Sequence, residues 1–152
     1  MRKARHALGD KLYFEDVQVG LAFETPALTL TETHVALFNG LVEHRSSDPR
    51  AVPDLLPLCL SAGLGWRVAL PPLVVLAFMG FEWKFTTPAR VGDTIRCVSK
   101  SVAKRLMKEG GVLIEERTIF NQRDEVIQKG KITLLVARKP AGDSARADTP
   151  AS

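Results

Sequence analysis

Three histidines occur in this 152-residue sequence: His6, His34 and His44. Only His44 is followed closely by a carboxylate in a polar stretch, Glu43-His44-Arg45-Ser46-Ser47-Asp48-Pro49-Arg50, with Asp54 a little further on. An imidazole and a carboxylate held together can take a proton from water and deliver one elsewhere, which is general acid–base chemistry. The same residues have plainer readings. Ser46-Ser47-Asp48-Pro49 is a turn sequence in which the carboxylate bonds nearby backbone amides. His44 is then a solvated loop side chain, and Asp54 caps the apolar segment behind it. No spacing among Glu43, His44, Asp48 and Asp54 is that of a metal site, so no metal is expected. Gly63-x-Gly65 lacks the preceding strand and the downstream acid of a dinucleotide fingerprint. Neither a serine nor a cysteine stands in a nucleophile elbow.

The elements that must position these residues can be read from period and punctuation. Leu21 to Leu30 reads as a strand interrupted at Pro26, hence an edge or a bent strand. Thr31 offers an N-cap with Glu32 in the first turn, and Val35, Phe38 and Val42 share a helix face, so a short amphipathic helix follows and ends near Gly40. Glu43 to Pro53 has two prolines and no period and reads as a loop. Leu55 to Leu70 carries one charge, Arg67, and no polar face at any helical phase, which predicts a helix buried all round. Arg67 must then pair with a carboxylate or reach solvent. Ser61, Ala62, Gly63 and Gly65 suit a backbone lying close against a sheet. Four strands are expected after Pro71-Pro72: Val74 to Phe85, Thr94 to Lys104, Val112 to Gln122 and Glu125 to Ala137. Hairpins join them at Glu109-Gly110-Gly111 and Asn121-Gln122-Arg123-Asp124. Trp83 and Phe81 should face the buried helix, with Glu82 and Lys84 in water. One curved sheet wrapped round one helix satisfies this pattern.

The formal charge is +4 and the isoelectric point near 9.3. Most of that charge lies in the first eleven residues, where Arg2, Lys3, Arg5 and Lys11 face only Asp10. Residues 12–138 hold 15 basic and 14 acidic residues, a balance that gives no electrostatic footprint for nucleic acid. The apolar region from Leu55 to Phe81 is broken by Arg67 and Pro71-Pro72 into pieces shorter than the roughly 20 residues a membrane span needs. Without an apolar leader stretch, a cytoplasmic chain with Cys59 and Cys97 as reduced, buried fillers is expected. Residues 1–12 read as a basic flexible tail, 13–138 as a single domain and 139–152 as a disordered tail.

Four blocks carry a resemblance. Tyr13-Phe14-Glu15-Asp16-Val17-Gln18-Val19-Gly20, Thr29 to Leu41, Leu76 to Phe85 with Pro88-Ala89-Arg90-Val91-Gly92-Asp93-Thr94, and Asn121 to Val126 stand in the order and spacing of the MaoC-like dehydratases. The chain resembles that family over about residues 13–138. The resemblance implies an α+β hotdog fold, a curved antiparallel β-sheet wrapped round one buried helix. It also implies hydration of 2-enoyl thioesters, or the reverse dehydration, with the acyl group carried on coenzyme A or acyl carrier protein and no other cofactor. Family members work as dimers and use an Asp and a His in a D-x-N-P-x-H loop after the first helix, with an H-G pair opening the buried helix. Here that loop is about a dozen residues shorter, Ala51 falls where the His belongs, and Asp54-Leu55 replaces H-G.

The candidate catalytic residues are therefore Asp48 and His44. Three functions are carried forward. The first is a hydratase or dehydratase with a shortened, degenerate active-site loop, a lyase if active. The second is a non-catalytic acyl-binding or partner subunit, and the third an acyl-CoA thioesterase relying on Asp48 or Asp54. The expected partners are a small-molecule acyl thioester and a second hotdog chain, identical or related, with no nucleic acid and no membrane.

Overall fold

The computed structural model describes residues 11–42 and 46–141. A 3-10 turn (Phe14–Asp16) leads to β1 (Ala22–Glu24), β2 (Leu28–Thr29), α1 (Glu32–Val42), α2 (Leu55–Gly65), β3 (Val75–Phe85), β4 (Thr94–Met107), β5 (Gly110–Phe120) and β6 (Val126–Val136). The strands form a six-stranded antiparallel sheet in the order β1-β4-β5-β6-β3, with β2 also on β4. The break at Pro26 separates β1 from β2 as its missing N–H requires. The β5–β6 hairpin is fixed by Asn121, whose Oδ1 accepts from the Arg123 and Glu125 amides while Asp124 takes φ 60. β4 outlasts its expected end at Lys104 by three residues, because a bulge between Ser101 and Ala103 restores its pairing with β5. Leu12, placed at the end of the expected tail, bridges Leu73. Of the two terminal segments, residues 1–10 and 142–152 lie outside the described residues.

The concave face of the sheet carries two apolar clusters. One gathers Leu30 and Val35 with Leu56 of α2 and Ile95, Cys97, Ile119 and Ile127 of the sheet. The other gathers Phe14, Leu113, Ile132, Leu134 and Val136. Trp83 packs against both. Two glycines make room for these contacts, since a methyl on Gly111 would fall in the Phe14 ring and one on Gly130 would strike Trp83.

The expectation of a helix buried all round needs correction. α2 stops at Gly65, where Trp66 and Arg67 turn off it, and within the protomer only Leu56, Pro57, Ser61 and Leu64 are buried. Cys59, expected as a buried filler, is exposed, and so are Arg67 and Trp66. The apolar outer face of α2 therefore meets no other part of the described chain. β3 behaves alike: it pairs only with β6, and Phe78, Met79 and Phe81 are each more than half exposed. Trp83 turns inward as expected; Phe81 shares its face but is 51% exposed, while Glu82 and Lys84 lie in water.

Candidate functional site

Asp48 sits in a loop docked on the Pro88–Asp93 turn. Ala51 bridges Arg90, and the Val91 amide donates to Arg50 O at 3.1 Å. The turn is rigid for reasons visible in the sequence: Gly92 takes φ 97, and the carboxylate of Asp93 accepts from the Arg90 amide (2.9 Å) and from Gln122 Nε2 (3.0 Å). Its backbone is tied to the start of α1, with Leu30 N–H donating to Asp93 O and Gly92 N–H to Leu30 O. Beside it opens a depression of about 570 Å³ lined by Arg50, Arg90, Val91, Asp93, Gln122 and Arg123, among others.

The Asp48 carboxylate is occupied locally. Oδ1 accepts from the Arg50 amide at 2.9 Å, Oδ2 stands 3.5 Å from Arg90 Nη1, and the Asp48 amide donates to Ser46 Oγ at 3.1 Å. The side chain is 49% exposed. This is the turn geometry that its neighbours in sequence favour. His44 lies outside the described residues. His34 is a helix-start residue: its Nδ1 accepts from the Thr31 amide at 3.1 Å, and Thr31 Oγ1 in turn accepts from the His34 amide at 3.4 Å. At the other end of α1, Asn39 Oδ1 is buried without a hydrogen-bond partner among the described residues.

Asp54 does not cap α2. It is itself helical, at φ −55 and ψ −36, and its carboxylate makes no cap hydrogen bond. Its backbone carbonyl accepts instead from Gln128 Nε2 at 2.6 Å, and Gln128 Oε1 accepts from Trp83 Nε1 at 3.0 Å. A relay from β3 through β6 thus holds the first turn of α2 and leaves its positive end without a side-chain oxygen. No hydrogen bond or ion pair joins Asp48 to Asp54. Among the described residues, no three His, Cys, Asp or Glu side chains gather as a metal site would require.

Sequence reasoning passed over Gln128 and a buried group on the concave face. Ser99 Oγ donates to Glu115 Oε2 at 3.2 Å, and Arg117 Nε and Nη2 donate to the same oxygen at 3.1 and 2.7 Å. Alternation could not have found them, because Leu113-x-Glu115-x-Arg117-x-Ile119 and Val112-x-Ile114-x-Glu116-x-Thr118 mix apolar and polar residues alike. Next to this group, burial pushes the Cys97 thiol up to about 11, so it stays protonated and takes no nucleophilic part at neutral pH.

No family model and no curated protein sequence matches the chain. Solved structures do. A monoamine oxidase regulatory protein from Archaeoglobus fulgidus is 26% identical over 86% of this chain and 97% of its own, with a TM-score of 0.78. A putative MaoC domain protein dehydratase from Chloroflexus aurantiacus is 25% identical over 97% of this chain and 47% of its own, with a TM-score of 0.75. This is the hotdog fold of the MaoC-like dehydratases. An R-hydratase from Pseudomonas aeruginosa shares the fold at 17% identity over 85% of this chain and 88% of its own, with a TM-score of 0.72. Among the described residues no helix is long and apolar enough to cross a membrane.

Proposed function

We propose that the chain hydrates 2-enoyl thioesters, or dehydrates their 3-hydroxy products, weakly and through a shortened active-site loop. The observation that carries this reading is the structural likeness to MaoC-like dehydratases and an R-hydratase over more than four fifths of the chain. Hydration needs a base for water, an acid for the α-carbon and a donor for the thioester carbonyl. Asp48 and His44 are assigned the proton transfers. At the start of α2, held by Gln128 and uncapped by Asp54, the carbonyl donor is the Leu55 amide, since the Leu56 amide donates to Pro53 O and Pro57 has no N–H. The substrate arrives on coenzyme A or a carrier protein, and no further cofactor takes part. The protein acts in the cytoplasm as one folded domain.

The pairing partner is a second hotdog chain, taken up along β3 and the outer face of α2, an apolar strand edge and an apolar helix face that no other part of the described chain covers. A homodimer is the simplest such assembly. One observation favours a second reading, an acyl-binding subunit without turnover: both Asp48 carboxylate oxygens already have partners, Oδ1 the Arg50 amide in the loop and Oδ2 the Arg90 guanidinium on the turn.

Loss of the enoyl absorbance of crotonyl-coenzyme A by the purified chain tests the assignment. Turnover far below that of a complete site is expected, because losing one positioned acid or base costs ~10² to 10⁴ in rate. His44→Ala and Asp48→Asn should each abolish what is left. Robust turnover that survives both substitutions refutes their roles.

A further inference from the structure

In the first turn of α2, Leu56 N–H donates to Pro53 O at 2.9 Å and Pro57 has no N–H, whereas Leu55 N–H has no hydrogen-bond partner among the described residues. That N–H belongs to the same peptide unit as the Asp54 carbonyl, which accepts from Gln128 Nε2 at 2.6 Å. The unit is trans and planar, so a bond that fixes its oxygen also fixes the line along which its N–H points. The bond polarises the unit as well, and an accepting carbonyl makes its own N–H a better donor. As the residue before the helix, Asp54 already gives this carbonyl to the first intrahelical bond, so Gln128 does not rescue a stranded oxygen.

Gln128 is itself held in one orientation. It is 3% exposed, and its Oε1 accepts from Trp83 Nε1 at 3.0 Å. An indole N–H can only donate and a backbone carbonyl only accept, so the amide fits between them one way round, Oε1 toward Trp83 and Nε2 toward Asp54. The indole in turn lies against Gly130, where a methyl would strike it. Replacing buried hydrogen-bonding partners by apolar groups of the same shape is often nearly neutral, so what the amide adds here is direction rather than stability.

We propose that Gln128, oriented by Trp83, is a positioning residue for the reaction: it aims and strengthens the Leu55 N–H that polarises the thioester carbonyl. It acts through the Asp54–Leu55 peptide and not on the substrate. The inference rests on the hydratase reading above, in which that amide is the carbonyl donor. The position demands an acceptor toward Trp83 and a donor toward Asp54. Glutamine meets both demands, and so does glutamic acid while protonated, whereas an ionised carboxylate turns an oxygen on the carbonyl.

The test compares the full wild-type chain with Gln128→Leu, Gln128→Glu and the double variant Gln128→Leu/Trp83→Phe. The double variant leaves no indole donor unpaired, so the loss of the relay can be measured even where the single leucine variant does not fold; melting curves verify folding. The readouts are kcat and KM for crotonyl-coenzyme A and the infrared stretch of its isotopically labelled thioester carbonyl when bound, which reports even at very slow turnover. On the wild type the bound carbonyl should absorb at lower frequency than in water, and on both leucine variants it should return toward the free value. Their kcat should fall about tenfold to a hundredfold, less than the full loss of an oxyanion donor, with KM within about threefold. Taken as a ratio to wild type at each pH, Gln128→Glu should match the leucine variants at high pH and recover at low pH, where its buried carboxyl is protonated. A purely structural role would lower the melting temperature and leave the carbonyl frequency and that ratio unmoved. Folded variants with wild-type kcat and carbonyl frequency overturn the inference and leave the hydratase reading standing, and so does a Gln128→Glu ratio flat with pH. If the wild-type chain binds no thioester, or binds it with the carbonyl unshifted, the underlying reading fails and this inference with it.

Discussion

Trp83 is the side chain on which both apolar clusters meet, and its removal should be felt by the whole molecule. Trp83→Ala deletes an indole that packs on both clusters over Gly130 and takes away the donor to Gln128 Oε1. Truncating a large aromatic in a core costs about 3–5 kcal/mol, and the partial exposure of Trp83 places it near the lower end. The lost hydrogen bond adds about 1 kcal/mol. Trp83→Phe separates the two effects: it keeps most of the packing and should cost about 1–2 kcal/mol. Trp83→Asp, which puts a charge into the same place, should not fold. Urea denaturation at one fixed protomer concentration measures all three, since association would otherwise add to the apparent stability. For a chain of this size the alanine variant should melt about 10 °C lower. A Trp83→Ala protein within about 1 kcal/mol of the wild type would show that the indole does not join the clusters.

The Cys97 thiol has a folded-state value near 11 against 9.0 for a free thiol, because burial disfavours the thiolate. The raised value means that its contribution is complete below pH 9 and is lost as pH rises from 9 to 11, by about 2–3 kcal/mol. Urea titrations of wild type and Cys97→Ala across that range should therefore converge, and parallel curves would be contrary. Gly111→Ala should cost about 1–3 kcal/mol by driving a methyl into the Phe14 ring, and an unchanged denaturation midpoint would place Phe14 elsewhere. Light scattering after size exclusion should give at least twice the 16.7 kDa of one chain, and a clean monomer would show that the apolar β3 edge needs no cover.

The sheet was legible because alternation and hairpin chemistry agree: Asn121 to Asp124 turn where their residue types demand, while the first hairpin turns at Lys108-Glu109 and the two glycines of the expected Glu109-Gly110-Gly111 turn open β5 instead. α1 was legible from Thr31 and Val35, although Val42, expected on the buried face, is half exposed and the helix runs two residues past Gly40. Two readings failed for a common reason. An apolar face tells that something covers it, but not whether the cover belongs to the same chain. α2 was therefore read as buried, and Cys59 with it. Asp54 misled for another reason, since a cap side chain and a first helical residue look alike in sequence, and Gln128, seventy-four residues away, decides between them. Glu115 and Arg117 were hidden because both faces of β5 mix charges with aliphatics.

The most direct test of the central claim is the mass of the product formed from crotonyl-coenzyme A by the purified chain. The account predicts slow addition of one water with the thioester intact, and no such product from Asp48→Asn. Release of free coenzyme A instead would make the chain a thioesterase, and rapid water addition by Asp48→Asn would contradict the site assigned to it.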